Sequence, residues 1–140
     1  MPKAKRIDHV SIAVPSIDEA LTFFETVFDV RRERVKFFEA AEYFGAIFRV
    51  GASKFELLSP RGENSFLHRF LAQRGPGVHH VTVQVESLAE MRARLQEAGI
   101  PTFGHQTAEG VDEAFIHPRH AYGVLFQLLE QPWEDIPEPE

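Results

Sequence analysis

The chain has 140 residues, the length of one ordinary domain, with 44% hydrophobic and 26% charged residues, which excludes a disordered, collagen-like or low-complexity chain. Its formal net charge of −6 argues against nonspecific binding to nucleic acid or to an anionic membrane. Because it contains no cysteine, any metal must be held by histidine and by carboxylate or amide oxygen.

The first half of the chain opens with a strand and a capped helix. Residues 7–14 are rich in β-branched side chains, which favours a strand. Ser16 and Glu19 fit a capping box and are followed by apolar residues at helical spacing, so a helix is predicted to begin there. Three more strands are predicted over residues 31–38, 43–50 and 53–59.

The second half repeats this order of elements. A connecting helix is predicted over residues 64–74, followed by a strand over residues 78–85. A second capping box, formed by Ser87 and Glu90, predicts the start of the next helix. Three strands are then predicted over residues 102–107, 113–117 and 123–130. The last ten residues, 131–140, are rich in proline and acidic residues, so they are expected to be loose.

The two halves are related by one constant offset, the one that separates His9 from His80. At this repeat offset the sequence FELL at residues 55–58 lies over FQLL at residues 126–129. Chance similarity between two strands would not keep both ends of each half in register, so we infer a duplicated βαβββ unit.

The duplication predicts an α+β fold, in which two tandem βαβββ modules form a curved half-barrel sheet around a metal site. Residues 1–140 are expected to form a single domain. Its parts are module one over residues 6–60, a linker helix over residues 61–77, module two over residues 78–130 and the loose tail.

Four polar side chains are predicted to converge where the two copies pair. Side chains alternate along a strand, so His9 and His80 point away from the aliphatic face that packs on each helix. Glu56 and Gln127 each lie between large apolar neighbours and also point away from them. An unpaired buried carboxylate is costly, and a metal ion is a suitable partner for it.

These four residues form a ligand set for a divalent metal. We predict that His9, Glu56, His80 and Gln127 bind Co, Zn, Ni, Mn or Fe and leave two positions open for water or substrate. Asp8 and His79 lie at the opposite parity and are expected to make hydrogen bonds toward a helix or a sheet edge. The remaining histidines are expected at loops or at the rim: His68, His105, His117 and His120.

Four segments of the sequence resemble those of a known family: IDHV at residues 7–10, KFELLSP at 54–60, GVHHV at 77–81 and FIHPR at 115–119. They are similar to the vicinal oxygen chelate superfamily, also called the glyoxalase/bleomycin-resistance/dioxygenase fold, and within it to the methylmalonyl-CoA epimerase family. The resemblance implies that the metal is held by the histidines of the first strands and by the polar residues of the last strands, here His9, His80, Glu56 and Gln127.

The same resemblance implies an isomerase. The expected reaction is metal-dependent epimerisation of methylmalonyl-CoA or a similar 2-branched acyl-CoA, by α-proton abstraction and a metal-stabilised enolate. Glu56 and Gln127 are the candidate catalytic residues. The family has Glu where this chain has Gln127, whose amide can bind metal but cannot take a proton, so Glu56 is the candidate for one acid/base group. The candidates for the second group are Glu42, Glu109 and Glu113.

Two other functional classes stay open at this point. His9, His80 and Glu56 also form a two-histidine, one-carboxylate set, which fits a glyoxalase-like lyase or an Fe(II) dioxygenase of the same fold. The third class is a metal-free protein that binds a small molecule. Open sheet edges predict a homodimer. The basic first residues lack the apolar core of a signal peptide, and no run of about 18 apolar residues occurs, so a cytoplasmic protein is expected.

Overall fold

The computed structural model describes residues 3–31, 35–107 and 110–131. Within these residues seven strands and three α-helices are present, and a short 3₁₀ helix (Pro118–His120) precedes the last strand. In chain order the elements are β1 (Ala4–Ala13), α1 (Ile17–Phe28), β2 (Val35–Phe38), β3 (Tyr43–Val50), β4 (Ser53–Pro60), α2 (Leu67–Arg74), β5 (Gly77–Val85), α3 (Leu88–Glu97), β6 (Ala114–Ile116) and β7 (Phe126–Leu129). None of the helices in the described residues is long and apolar enough to cross a membrane.

The described residues fall into two compact units. The central unit is Val10–His79, and the terminal unit comprises the residues up to His9 and those from His80 onward. In the central unit the strand order is β2-β3-β4-β1, with β1 and β4 parallel and the other two pairs antiparallel. In the terminal unit β5 pairs in parallel with β7, and β6 pairs antiparallel to β7.

The duplication is visible in the register of the two parallel strand pairs. On β1 and β4 the residue opposite Ser11 is Glu56, and on β5 and β7 the residue opposite Thr82 is Gln127. Thr82 follows Ser11, and Gln127 follows Glu56, by the repeat offset. The predicted repeat therefore places the same kind of polar pair at the same point of each parallel ladder.

Both predicted capping residues begin helices. The Ser16 hydroxyl accepts a hydrogen bond from the Glu19 amide at the start of α1, and the Ser87 hydroxyl accepts one from the Glu90 amide at the start of α3. These caps satisfy backbone donors that a helix end otherwise leaves unpaired. Each helix then buries one apolar face against its own unit.

The two units have separate apolar cores of different size. The core of the central unit consists of buried side chains from α1, β3, β4 and the segments that adjoin them: Val14, Ile17, Leu21, Phe24, Val30, Ala46, Phe48 and Leu57. The core of the terminal unit is smaller and has Val85, Leu88, Ala114 and Leu128 at its centre. Each core backs the strand that carries the polar residue at position 56 or 127.

The predicted strand over residues 102–107 is wrong. This segment makes only two isolated bridges, from Phe103 to Phe115 and from Gln106 to Asp112. Gly104 lies between them with a φ of 77°, a left-handed conformation that interrupts an extended backbone. The last predicted strand is also too long at its start, because Tyr122 and Gly123 adopt positive φ angles in a turn and β7 begins only at Phe126.

Several other predicted boundaries differ from the structure; β1, for example, begins at Ala4 instead of residue 7 and ends at Ala13. The connecting helix α2 begins at Leu67 instead of residue 64, and the Ser65 hydroxyl accepts a hydrogen bond from the Leu67 amide at its start. Strand β2 begins at Val35, and the predicted residues 32–34 lie outside the described part of the chain. Residues 132–140 of the predicted tail also lie outside it.

Candidate metal centre

Two predicted ligands, His9 on β1 and His80 on β5, lie close together in the terminal unit. Both side chains are buried, and their ring centroids are 6.0 Å apart with an interplanar angle of 74°. Two imidazoles that bind one ion at about 2.1 Å have ring centroids no more than about 6.5 Å apart. The observed spacing is therefore compatible with a single ion bound by both rings.

Asp8 controls the orientation of the His9 ring. Its Oδ2 lies 2.7 Å from Nδ1 of His9, and Nη2 of Arg6 donates to its other oxygen at 3.2 Å. Since Nδ1 faces a carboxylate, Nε2 is the nitrogen that can bind a metal. Strand parity missed this role for Asp8. The rule that metal-binding histidines usually donate their second nitrogen to a carboxylate or carbonyl could have found it.

Gln127 on β7 is held at both ends of its amide. The Thr82 hydroxyl donates to Oε1 of Gln127 at 2.7 Å, and Nε2 of Gln127 donates to Oε1 of Glu113 at 2.8 Å. The same Thr82 oxygen lies 3.1 Å from Nε2 of His9. The amide oxygen of Gln127 therefore faces the same hydroxyl as the metal-binding nitrogen of His9.

Glu56 on β4 belongs to the central unit. Its side chain is 1% exposed, and the Ser11 hydroxyl donates to its Oε1 at 2.8 Å. This contact is the counterpart, at the repeat offset, of the one between Thr82 and Gln127. Sequence parity placed both hydroxyl residues on the same face as the histidines but did not identify their hydrogen bonds to positions 56 and 127.

His79 contacts helix α2, as the parity of β5 predicts. Its ring lies 5.3 Å from the ring centroid of Phe66 and 4.9 Å from that of Phe70. Burial lowers the pKa of His79, the negative charge of Glu56 opposes this shift, and Arg74 adds to it.

The chemistry of the donor set suits a divalent metal. His9, Glu56 and His80 are buried side chains of the types that could hold a metal ion, and Gln127 adds an oriented amide oxygen. Imidazole with oxygen ligands is a combination that Zn, Co, Ni, Mn and Fe accept.

The three candidates for a second acid/base group have different positions. Oε2 of Glu42 accepts a hydrogen bond from the Asn64 amide at 3.2 Å, so this side chain stabilises a turn. Glu113 binds Gln127. Glu109 lies outside the described residues.

The other histidines have local roles at exposed positions. Nε2 of His68 hydrogen-bonds the Gly62 carbonyl, and Nδ1 of His117 accepts from the Arg119 amide at the start of the 3₁₀ helix. His105 is largely exposed. His120 lies in the 3₁₀ helix itself.

The sequence matches the model of a known protein superfamily. The model of the Glyoxalase/Bleomycin resistance protein/Dioxygenase superfamily matches residues 8–116. The chain belongs to this superfamily. The matched residues include three of the four predicted ligands, His9, Glu56 and His80. The fourth, Gln127, lies on β7, after the matched residues.

Relatives of this superfamily member include named epimerases. It is 36% identical over 128 residues to the Bacillus subtilis protein YqjC, covering 89% of this chain and 91% of that one. It is 32% identical over 130 residues to the Ethylmalonyl-CoA/methylmalonyl-CoA epimerase of Cereibacter sphaeroides, covering 88% and 96%. A solved structure of a variant of Streptomyces coelicolor methylmalonyl-CoA epimerase in complex with 2-nitronate-propionyl-CoA has a TM-score of 0.78 and 26% identity, covering 90% and 96%. The predicted superfamily and the predicted α+β fold are confirmed.

Proposed function

We propose that this protein is a metal-dependent epimerase of methylmalonyl-CoA or a similar 2-branched acyl-CoA. The observation that carries the proposal is the buried pair His9 and His80, 6.0 Å apart, beside the oriented amide oxygen of Gln127. Relatives that span most of this chain are named as epimerases of such thioesters, and this supports the substrate class.

We assign four ligands to one divalent ion: His9, Glu56, His80 and Gln127. Glu56 is included because it hydrogen-bonds Ser11, which lies two residues after His9 on the same strand. Side chains two residues apart in a strand point to the same face, so the Glu56 carboxylate lies on the face of β1 that carries His9. The native metal is one of Co, Zn, Ni, Mn or Fe, the ions that this donor set accepts.

Different residues of the chain have different roles in proton transfer. When bound, the ion would stabilise the negative charge that develops on the thioester oxygen as the α-proton leaves. Asp8 holds His9 so that Nε2 faces the site. Glu56 takes the α-proton on one face of the substrate, and burial of its carboxylate excludes bulk water from that step. Inversion is completed when a second acid/base group, one of the candidates named above, returns a proton to the α-carbon on the opposite face. Gln127 binds and orients but transfers no proton.

The proposal is tested by isotope exchange. Purified protein loaded with Co²⁺ and incubated with methylmalonyl-CoA in D₂O is expected to incorporate one deuterium at the α-carbon, measured by mass spectrometry. The chelator-treated protein and the His80→Ala variant serve as controls and are expected to exchange at the background rate. No exchange above background by the metal-loaded protein would reject the epimerase.

The same protein preparation distinguishes the epimerase from the other functional classes of this fold. Isomerisation of a thiol adduct of an α-keto aldehyde would identify a lyase, and uptake of dioxygen by the Fe²⁺ form would identify a dioxygenase. Stoichiometric metal, measured by elemental analysis, is expected. Its absence would favour a metal-free binding protein.

A further inference from the structure

The side-chain amide of Gln127 must be turned the right way round to bind a metal, whereas a carboxylate ligand need not be. Only the oxygen of a side-chain amide can bind a metal, yet the oxygen and nitrogen ends have nearly the same shape. A glutamine ligand therefore needs neighbours that select which end faces the ion.

The hydrogen bonds around Gln127 make that selection. The Glu113 carboxylate can only accept, so it takes the NH₂ end of the amide, at 2.8 Å. The Thr82 hydroxyl then donates to the oxygen end, at 2.7 Å, on the side where Nε2 of His9 lies. A flipped amide would turn its oxygen toward the Glu113 carboxylate, and two acceptors at hydrogen-bond distance repel each other.

The backbone of Glu113 is anchored on both sides of its side chain. Its amide donates to the His105 carbonyl at 2.7 Å, and the Arg92 guanidinium donates to its carbonyl oxygen. The next residue, Ala114, is fully buried at the start of β6. A carboxylate on so firmly held a backbone is well placed to hold another side chain in one orientation.

The first copy of the repeat shows what happens when no amide is present. Ser11 donates to Glu56 just as Thr82 donates to Gln127. The residue that corresponds to Glu113 at the repeat offset is Glu42, but its carboxylate accepts from the Asn64 amide in a turn. A carboxylate at position 56 offers two like oxygens, whereas the amide at position 127 needs a neighbour that selects its oxygen, and Glu113 is placed to do so.

We propose that Glu113 is a positioning residue that turns the amide oxygen of Gln127 toward the metal. The inference rests on the proposed function, because it takes Gln127 to be a ligand. Glu113 acts through its hydrogen bond with Gln127.

Titration with Co²⁺, followed by its visible absorption, tests the proposal without an activity assay. We expect Glu113→Ala to weaken Co²⁺ binding about 10- to 100-fold, the usual loss when a residue that orients a ligand is removed. Glu113→Gln keeps an oxygen acceptor and is expected to stay within about threefold of the wild type. Glu97→Ala, which removes an exposed acid from α3, controls for the loss of charge and is expected to have no effect.

The same substitution in a Gln127→Glu background isolates orientation from charge. With a carboxylate at position 127 either oxygen can bind the ion, so Glu113→Ala is expected to change Co²⁺ affinity by less than about threefold. An equal loss in both backgrounds would show that Glu113 acts as a remote charge and would overturn the proposal. So would unchanged affinity of Glu113→Ala in the native background.

Failure of the proposed function looks different in this experiment. If the wild-type protein itself takes up no Co²⁺, the metal centre is wrong and the positioning role fails with it. If the wild type binds Co²⁺ but Glu113→Ala leaves the affinity unchanged, or lowers it equally in both backgrounds, the epimerase proposal stands and the positioning role alone is rejected. Thermal unfolding of the metal-free variants separates both outcomes from misfolding.

Discussion

The two copies of the repeat have the same strand pairing but different chemistry at equivalent positions. In the first copy Ser11 donates to a carboxylate, Glu56, and in the second Thr82 donates to an amide, Gln127. The residues before the two histidines also differ, since Asp8 holds the His9 ring while His79 packs on the rings of helix α2.

This difference shows that the same strand register can carry different side-chain chemistry. The register of the parallel strands keeps a polar pair in place in both copies, because each pair is set by the ladder of backbone hydrogen bonds. The ladder does not set which polar side chain occupies each place. Among the four assigned ligands the carboxylate therefore comes from the first copy, and the second copy recruits Glu113 for its amide.

Removing that carboxylate is expected to reduce activity more strongly than any other substitution considered. Glu56→Gln makes the two copies chemically alike, and we expect α-proton exchange to fall about 10²- to 10⁴-fold, because an amide cannot accept the proton. Ser11 can still donate to the amide oxygen, so the melting temperature should change little. Isotope exchange in D₂O measures the rate, with Glu97→Gln as the control. An active Glu56→Gln variant would remove Glu56 from the reaction.

Truncating the apolar residues next to the two polar positions is expected to have the next largest effect, on the free energy of unfolding. Leu57 and Leu128 are equivalent in the repeat, but Leu57 is fully buried in the larger core and Leu128 is 5% exposed in the smaller one. Replacing each by alanine is expected to lower the free energy of unfolding by about 2–5 kcal/mol, with Leu57→Ala at the upper end. Urea denaturation measures both. A larger loss for Leu128→Ala would contradict the difference between the cores.

Substituting the residues that precede the two histidines is expected to have a smaller effect, on metal affinity. Asp8→Asn weakens the acceptor at Nδ1 of His9, and Co²⁺ affinity is expected to fall about 10- to 100-fold. The matched variant His79→Asn changes a ring that packs on Phe66 and Phe70, so Co²⁺ affinity should change less than about threefold. Equal losses in both variants would show that Asp8 has no special role in orienting the ring.

The smallest effect concerns a surface ion pair that occurs in the second copy. The hydrogen bonds from Arg92 to Asp112, at 2.8 and 2.9 Å, hold the pKa of Asp112 below its ordinary value of 3.8. A lowered carboxyl pKa stabilises the folded state above the unfolded pKa, and the stabilisation is lost as pH falls through the folded pKa. The Asp112 side chain is 49% exposed, so screening limits the contribution to about 0.5–1 kcal/mol.

Asp112→Asn checks this pair by its pH dependence. Its melting temperature should lie slightly below that of the wild type at pH 7, and the two should converge as the pH is lowered below about 4. A difference that persists undiminished at low pH would show that the pair stabilises by packing and not by charge. The equivalent positions of the first copy, Leu21 and Ala41, carry no charge and offer no such pair.

Several features were predictable because they depend on local patterns. The capping serines Ser16 and Ser87 begin helices as predicted, since a cap needs only a hydroxyl at the right spacing before a helix. Strand parity placed His9 and His80 on one face, and the structure brings their rings to 6.0 Å. The strand over residues 102–107 was mispredicted because β-branched and aromatic residues outweighed Gly104, whose left-handed backbone interrupts the strand.

The repeat, its constant offset and the four polar positions follow from the order of residues alone, because duplication and alternation are properties of linear order. How those side chains are held depends on the folded arrangement of the strands. The contacts of Asp8 with His9, of Thr82 with Gln127 and of Glu113 with Gln127 depend on distances and hydrogen-bond directions that separate strands establish when they pair. A hydrogen bond acts over about 3 Å, whereas sequence spacing specifies only which face a side chain shares, so the orientation of each ligand emerges from the fold.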